Sequence, residues 1–183
     1  MAACQNIETL SKKTVSEYIV SDIADAPGVD FVEDARKLSF ANDSFDTILS
    51  FQVLEHVDDT QAVVAEMHRV LKKGGHVIVT APFLAPQHGH PSDFHRFTTE
   101  GIRFFFEREH FEVVELGAQG STWSVVAQIL RCIFLNPYVK DHGRIRRAIF
   151  MRVYAFLVYL DRREVFKRED FYTNVYIIAK KVS

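Results

Sequence analysis

The stretch Ser44–Pro82, SFDTILSFQVLEHVDDTQAVVAEMHRVLKKGGHVIVTAP, reads as strand, helix, strand. Phe45 to Phe51 is a short, nearly continuous apolar run with β-branched Thr47 and Ile48, the composition of a strand buried on both faces. Asp58, Asp59 and Thr60 offer helix N-cap and first-turn chemistry, and Val63, Val64, Met67, Val70 and Leu71 recur at the spacing of one apolar helix face. Lys72 and Lys73 suit the negative helix end, Gly74-Gly75 supplies a left-handed stop, and His76 to Ala81 returns as a second buried strand ended by Pro82. A right-handed βαβ unit of this kind builds an open parallel sheet, and such sheets bind ligands at the carboxyl ends of their strands. Those ends are Ser50-Phe51-Gln52, Thr80-Ala81-Pro82 and, upstream, Ser21-Asp22 after YIV and Glu33-Asp34 after VDFV.

The order YIVSDI, VDFVEDARKLSF, FDTILSFQVLEHV, LKKGGHVIVTAPF, DFHRFT resembles the class I S-adenosylmethionine-dependent methyltransferases, most closely the small type 11 methyltransferase-like domains. The resemblance covers roughly Tyr18 to Gly117 and the last strand, by motif order rather than by any one motif. It implies an α/β fold with a Rossmann-like, mostly parallel sheet, an antiparallel last strand and a helical insertion before it. It also implies S-adenosyl-L-methionine as cofactor. Asp22 stands where the family places the acid that accepts from both ribose hydroxyls, a task that suits two carboxylate oxygens. Asp34 and Ala35 match the adenine-edge pair, Ile23 would pack on an adenine face, and Phe51 and Gln52 line the methyl-transfer pocket. Asp22 and Asp34 can equally cap the turns that follow them.

The family would also place, before the Tyr18 strand, a central first strand and a glycine-rich loop. Neither is present: the first glycine is Gly28, in the turn APG. Without that strand the sheet has unpaired backbone groups, and without that loop part of the cofactor site is missing. The chain reads either as a fragment or as a shortened relative, and a non-catalytic methyltransferase-like subunit is the alternative function. Residues 1–17 read as a short helix or an arm, 121–170 as a helical insertion or lid, and the whole of 1–183 as one domain.

Beyond Pro82, His88, His90 and His95 cluster with Asp93. His88 or His90 is the candidate base, on the loop after a strand end. Asp93, His95, Arg96 and Trp123 are candidate acceptor-binding residues, although Arg96 can also serve as a local tie to Asp93. A His-x-His pair beside a carboxylate has zinc-ligand chemistry, which makes a metal-dependent hydrolase a further rival; the family transfers methyl groups without metal, and none is assigned. Glu55 and His56 read as a scaffold turn tying the loop to the next helix. Thr99–Glu107 reads as a helix, Phe111 to Gly117 as a strand, Ser124–Leu135 and Ile145–Leu160 as insertion helices, and Phe171 to Lys180 as a last strand that pairs antiparallel with Phe111–Gly117 at the sheet edge. The second insertion helix, apolar around most of its circumference, is expected to pack on several sides.

The net charge of −2 hides an asymmetry: residues 1–120 hold 10 Lys and Arg against 19 Asp and Glu, whereas 121–183 hold 12 against 5. The basic part suits an acidic partner surface or a solvated face. Two distant cysteines, Cys4 and Cys132, suggest no disulfide framework, and with no leader or ~20-residue apolar span the expected location is cytoplasmic. Expected partners are a small-molecule, glycan or lipid-linked acceptor and a second chain, like or unlike, across the incomplete sheet. No nucleic-acid motif is present.

Overall fold

The computed structural model describes residues 15–88, 92–134, 143–163, 165 and 170–183. The chain divides into two compact units, Met1–Ser39 and Phe40–Ser183.

In the first unit β1 (Ser21–Asp22) pairs in parallel with β2 (Phe31–Val32). The connecting turn is closed by the Val29 N–H donating to the Ala26 carbonyl, and it contains Gly28 at φ 91°, a conformation that glycine adopts without steric cost. Most of the expected residues 1–17 arm lies outside the described residues.

The second unit opens with the expected strand–helix–strand: β3 (Phe45–Phe51), α1 (Thr60–Val70) and β4 (Leu71–Pro82). The Asp59 carboxylate caps α1 by accepting from the Ala62 N–H at 3.0 Å. The helix stops three residues before the expected point. Leu71 is already extended, and Lys72 turns away from the helix end to pair with Asp46 at 2.9 Å. The register slips here, from Phe45 opposite Leu71 to Thr47 opposite His76, and Gly74 absorbs the irregularity at φ 81°.

α2 (Thr99–Arg108) starts at Thr98, whose hydroxyl accepts from the Gly101 N–H, and is followed by β5 (Phe111–Gln119). The insertion helices are α3 (Thr122–Phe134) and α4 (Arg144–Arg162), and β6 (Asn174–Lys181) closes the chain. The sheet order is β3-β4-β6-β5; β3 and β4 are parallel, and β6 is antiparallel to both β4 and β5. The expected antiparallel pairing of the last strand with β5 is present, but the edge place within that pair belongs to β5, and β6 lies between β4 and β5. Its alternate residues Val175, Ile177 and Ala179 are fully buried beside Val77, Val79 and Ala81 of β4, which explains the choice: a central slot covers an apolar row that an edge would expose.

The expectation of strands buried on both faces fails for β3, where Ser50 alone is buried and Thr47, Leu49 and Phe51 are exposed, and holds on one face only for β4. Val63, Val64, Met67 and Val70 of α1 and Ile102 and Phe106 of α2 are buried, whereas Ile78, Thr80 and Ile178 on the opposite sheet face are half-buried. In α4, Phe150 and Leu157 alone are buried, while Ile145, Met151, Phe156 and Tyr159 are more than half exposed, so that helix is not packed on several sides. The Gln119–Asn174 and Asn174–Pro82 pairings put the root of the insertion in one row at the carboxyl end of the sheet.

Candidate functional site

β3 leaves the sheet through Gln52, whose φ of 57° is left-handed. That conformation costs an L-residue about 1–2 kcal/mol. It is held here by the Gln52 N–H donating to the Thr80 carbonyl at 2.9 Å and by its side-chain amide donating to the Thr80 hydroxyl at 3.3 Å. Strain of this kind collects at functional sites. A 3-10 turn, Leu54–His56, follows and swings Glu55 inward, where its side chain is fully buried.

The loop after β4 folds over this turn. The Phe94 N–H donates to the Glu55 carbonyl at 2.7 Å, and the Phe97 N–H to the Pro82 carbonyl at 2.9 Å. Arg96 braces the loop from inside: its guanidinium grips both Asp93 oxygens, at 2.5 and 2.7 Å, and also donates to the carbonyls of Ala85, Pro86 and His95. The second Asp93 oxygen also accepts from the His88 backbone N–H at 2.7 Å. Arg96 holds the Asp93 carboxyl far below the usual carboxylate range. Of the two readings of Arg96, the structure realises the local tie.

These contacts bring three side chains to one point. His56 Nε2 and His88 Nε2 each lie 3.8 Å from Glu55 Oε1, and the two rings meet edge to face at 5.4 Å. His56 Nδ1 is 2.8 Å from the Ser92 carbonyl and His88 Nδ1 is 3.1 Å from the Pro86 carbonyl. Neither Glu55 oxygen has a hydrogen-bond partner among the described residues, and burial pushes its carboxyl above the usual range.

The sequence candidates are thus dispersed in part. His88, Asp93 and Arg96 gather at the Glu55 turn. His95 is tied by Nε2 to the Asp58 carbonyl at 3.3 Å, and His90 lies outside the described residues. Trp123 donates to the Val165 carbonyl and lines a groove of about 340 Å³ between α3 and α4, with Arg131, Tyr154, Leu157 and Asp161; no residue of the Glu55 cluster lines that groove. Phe51, at the end of β3, is 38% exposed. Glu55 and His56, read as a scaffold turn, do tie the loop through the Phe94 and Ser92 contacts; the sequence reading did not anticipate that their side chains meet His88. The available signal was an acid–histidine pair directly after one strand end, answered by a histidine after the next.

In the first unit, Asp22 Oδ1 accepts from the Ala24 N–H at 3.0 Å, and Ile23 is 68% exposed. The Asp34 carboxylate is gripped through both oxygens by Arg36, which holds its carboxyl below the usual range. Ala35 sits half-buried in the same turn.

The sequence model of the methyltransferase domain family matches residues 5–79. Over that segment the chain is similar to class I S-adenosylmethionine-dependent methyltransferases. Its matched segments are 44% identical over 52 residues to the ubiquinone/menaquinone biosynthesis C-methyltransferase UbiE of Desulfotalea psychrophila, 28% of this chain and 21% of that protein. They are 40% identical over 50 residues to a phosphatidylethanolamine N-methyltransferase of Cereibacter sphaeroides, 27% of this chain and 25% of that one. The chain thus matches about a quarter or less of the length of these relatives. A S-adenosylmethionine-dependent methyltransferase from Archaeoglobus fulgidus shares the fold at a TM-score of 0.60 and 16% identity, over 97% of this chain and 81% of that one.

The residues that the resemblance assigns to the nucleoside end of the cofactor fit it unevenly. Asp22 keeps one oxygen outside its turn contact, and exposed Ile23 offers an apolar face for a base. Asp34 fits only once Arg36 releases it.

Proposed function

We propose that this methyltransferase domain transfers the sulfonium methyl group of S-adenosylmethionine to a small-molecule, glycan or lipid-linked acceptor. The observation that carries the reading is the family match over residues 5–79, which spans the candidate nucleoside acids and ends at Val79, in β4 just before its carboxyl end. The cofactor supplies an electrophilic methyl carbon when bound; the chain has to align an acceptor, exclude water and take up a proton from an oxygen or nitrogen nucleophile. His88 stands on the loop after β4 with its Nδ1 directed at the Pro86 carbonyl, which leaves Nε2 as the basic atom. Asp93 and Arg96 position that loop, and Trp123 and the helical insertion offer an acceptor-side surface.

A second reading, a non-catalytic methyltransferase-like subunit, is favoured by the grip of Arg36 on Asp34. Calorimetry with S-adenosylhomocysteine separates the two. Weak but measurable heats from the wild type, reduced in Asp22→Ala and in Asp34→Ala, are the expected result. Equal heats from all three proteins, or none at millimolar ligand, would remove the nucleoside assignment and leave the subunit reading.

A further inference from the structure

We infer that Glu55, His56 and His88 form a binding site for a divalent transition-metal ion of the zinc or manganese class. Hydrogen-bond accounting leads there. The Ser92 and Pro86 carbonyls can only accept, so the Nδ1 atoms beside them, at 2.8 and 3.1 Å, carry the ring hydrogens. In the neutral rings each Nε2 is then a bare lone pair, and both stand 3.8 Å from the same oxygen of Glu55. That oxygen is itself an acceptor, fully buried and without a partner among the described residues. Three acceptors converge on one point with no donor between them, an arrangement that costs free energy unless a cation occupies it.

The cation can be a proton or a metal ion, and the geometry favours the metal. At 3.8 Å the nitrogen–oxygen gaps are too long for a shared proton. The three ligand atoms lie within 4.8 Å of one another, whereas ligands about 2.0–2.2 Å from a zinc ion stand roughly 3–3.5 Å apart. Closing the difference needs small ring rotations, and both histidines are partly exposed and have room for them. The Nδ1–carbonyl bonds are the supporting contacts that orient metal-bound imidazoles. Two imidazoles and a carboxylate suit zinc or manganese better than magnesium, and three protein ligands leave a position open toward solvent. The nearby cation, Arg96, is neutralised by its two bonds to Asp93 and does not fill the place.

The ion site stands on geometry alone, but its consequence for catalysis depends on the methyl-transfer reading. An ion at Nε2 of His88 would take up the lone pair that otherwise acts as base; it would lower the pKa of an acceptor hydroxyl at the open position, whose proton would pass to solvent water.

Binding is tested without cofactor or acceptor. Metal-stripped protein is titrated with Zn2+ and with Mn2+ by calorimetry, and with Co2+ by visible absorption. One ion per chain, with a Co2+ spectrum showing nitrogen and oxygen ligation, is expected. Glu55→Gln, His56→Ala and His88→Ala should each weaken binding tenfold or more, while His110→Ala leaves it unchanged. Circular dichroism checks that each variant is folded, and the near-isosteric Glu55→Gln remains decisive if a histidine variant unfolds. No binding by the wild type at millimolar ion, undiminished binding by Glu55→Gln, or equal loss in His110→Ala would overturn the site. Because cofactor is absent throughout, a failed methyl-transfer assay leaves this result standing, and the converse also holds.

Discussion

Lys181 shows how a single charged residue is placed against its composition. It is 7% exposed at the end of β6, and its ammonium donates to the Leu71 carbonyl and to Asp43 Oδ1, each at 2.8 Å. The first bond satisfies a carbonyl at the junction of α1 and β4; the second neutralises the charge. Lys181→Met keeps the apolar stem but leaves the carbonyl without its donor, and is expected to cost about 1–3 kcal/mol in urea unfolding. A loss well under that range would mean that water replaces the ammonium. Glu55 is the opposite case, a buried carboxyl that faces His56 and His88 at 3.8 Å without a hydrogen-bond partner among the described residues. Its burial could not be read from LEHV, because it depends on Phe94 and Phe97 folding back over the turn from some 40 residues away.

At the scale of elements, the helix–strand junction Leu71–Gly75 is held tightly by backbone atoms. A Cβ on Gly75 would meet the Asp46 carbonyl oxygen at 2.8 Å and the Lys72 carbonyl oxygen at 2.9 Å, both backbone atoms that cannot swing aside. Gly75→Ala is therefore expected to destabilise by about 1–3 kcal/mol, the range of overpacked sites, read as a lower midpoint in thermal or urea unfolding. An unchanged midpoint would show that the register slip between Phe45 and Thr47 is soft enough to absorb the methyl group. The glycine pair was legible as a break in the helix. Its second task, letting β3 and β4 approach after the slip, was not, because that depends on the partner strand rather than on the local sequence.

Across the whole molecule, β3 has a single hydrogen-bonded neighbour, β4, among the described strands, and Leu49 and Phe51 are 36% and 38% exposed on it. An apolar strand with a free edge invites a second chain. Concentration-dependent association is expected in light scattering, with Leu49→Lys shifting the population toward monomer by placing charge on the strand. A wild type that stays monodisperse and monomeric at high concentration would show that the edge is closed within the chain.

The amino-acid sequence by itself determined the βαβ unit, the capped start of its helix at Asp58–Thr60, the turn at Gly28 and the resemblance to a methyltransferase family, because each is written in residues close along the chain: an apolar period, a capping oxygen, a glycine at positive φ, a run of short motifs. Tertiary structure alone decided that β6 enters between β4 and β5, that α4 keeps most of its apolar side chains exposed, that Arg36 holds Asp34, and that Glu55 faces His56 and His88. Each of these is a choice among distant partners. Local pattern states which face a residue presents and where an element ends, but which group it meets follows from burying the most apolar surface with the fewest unpaired polar groups across the fold.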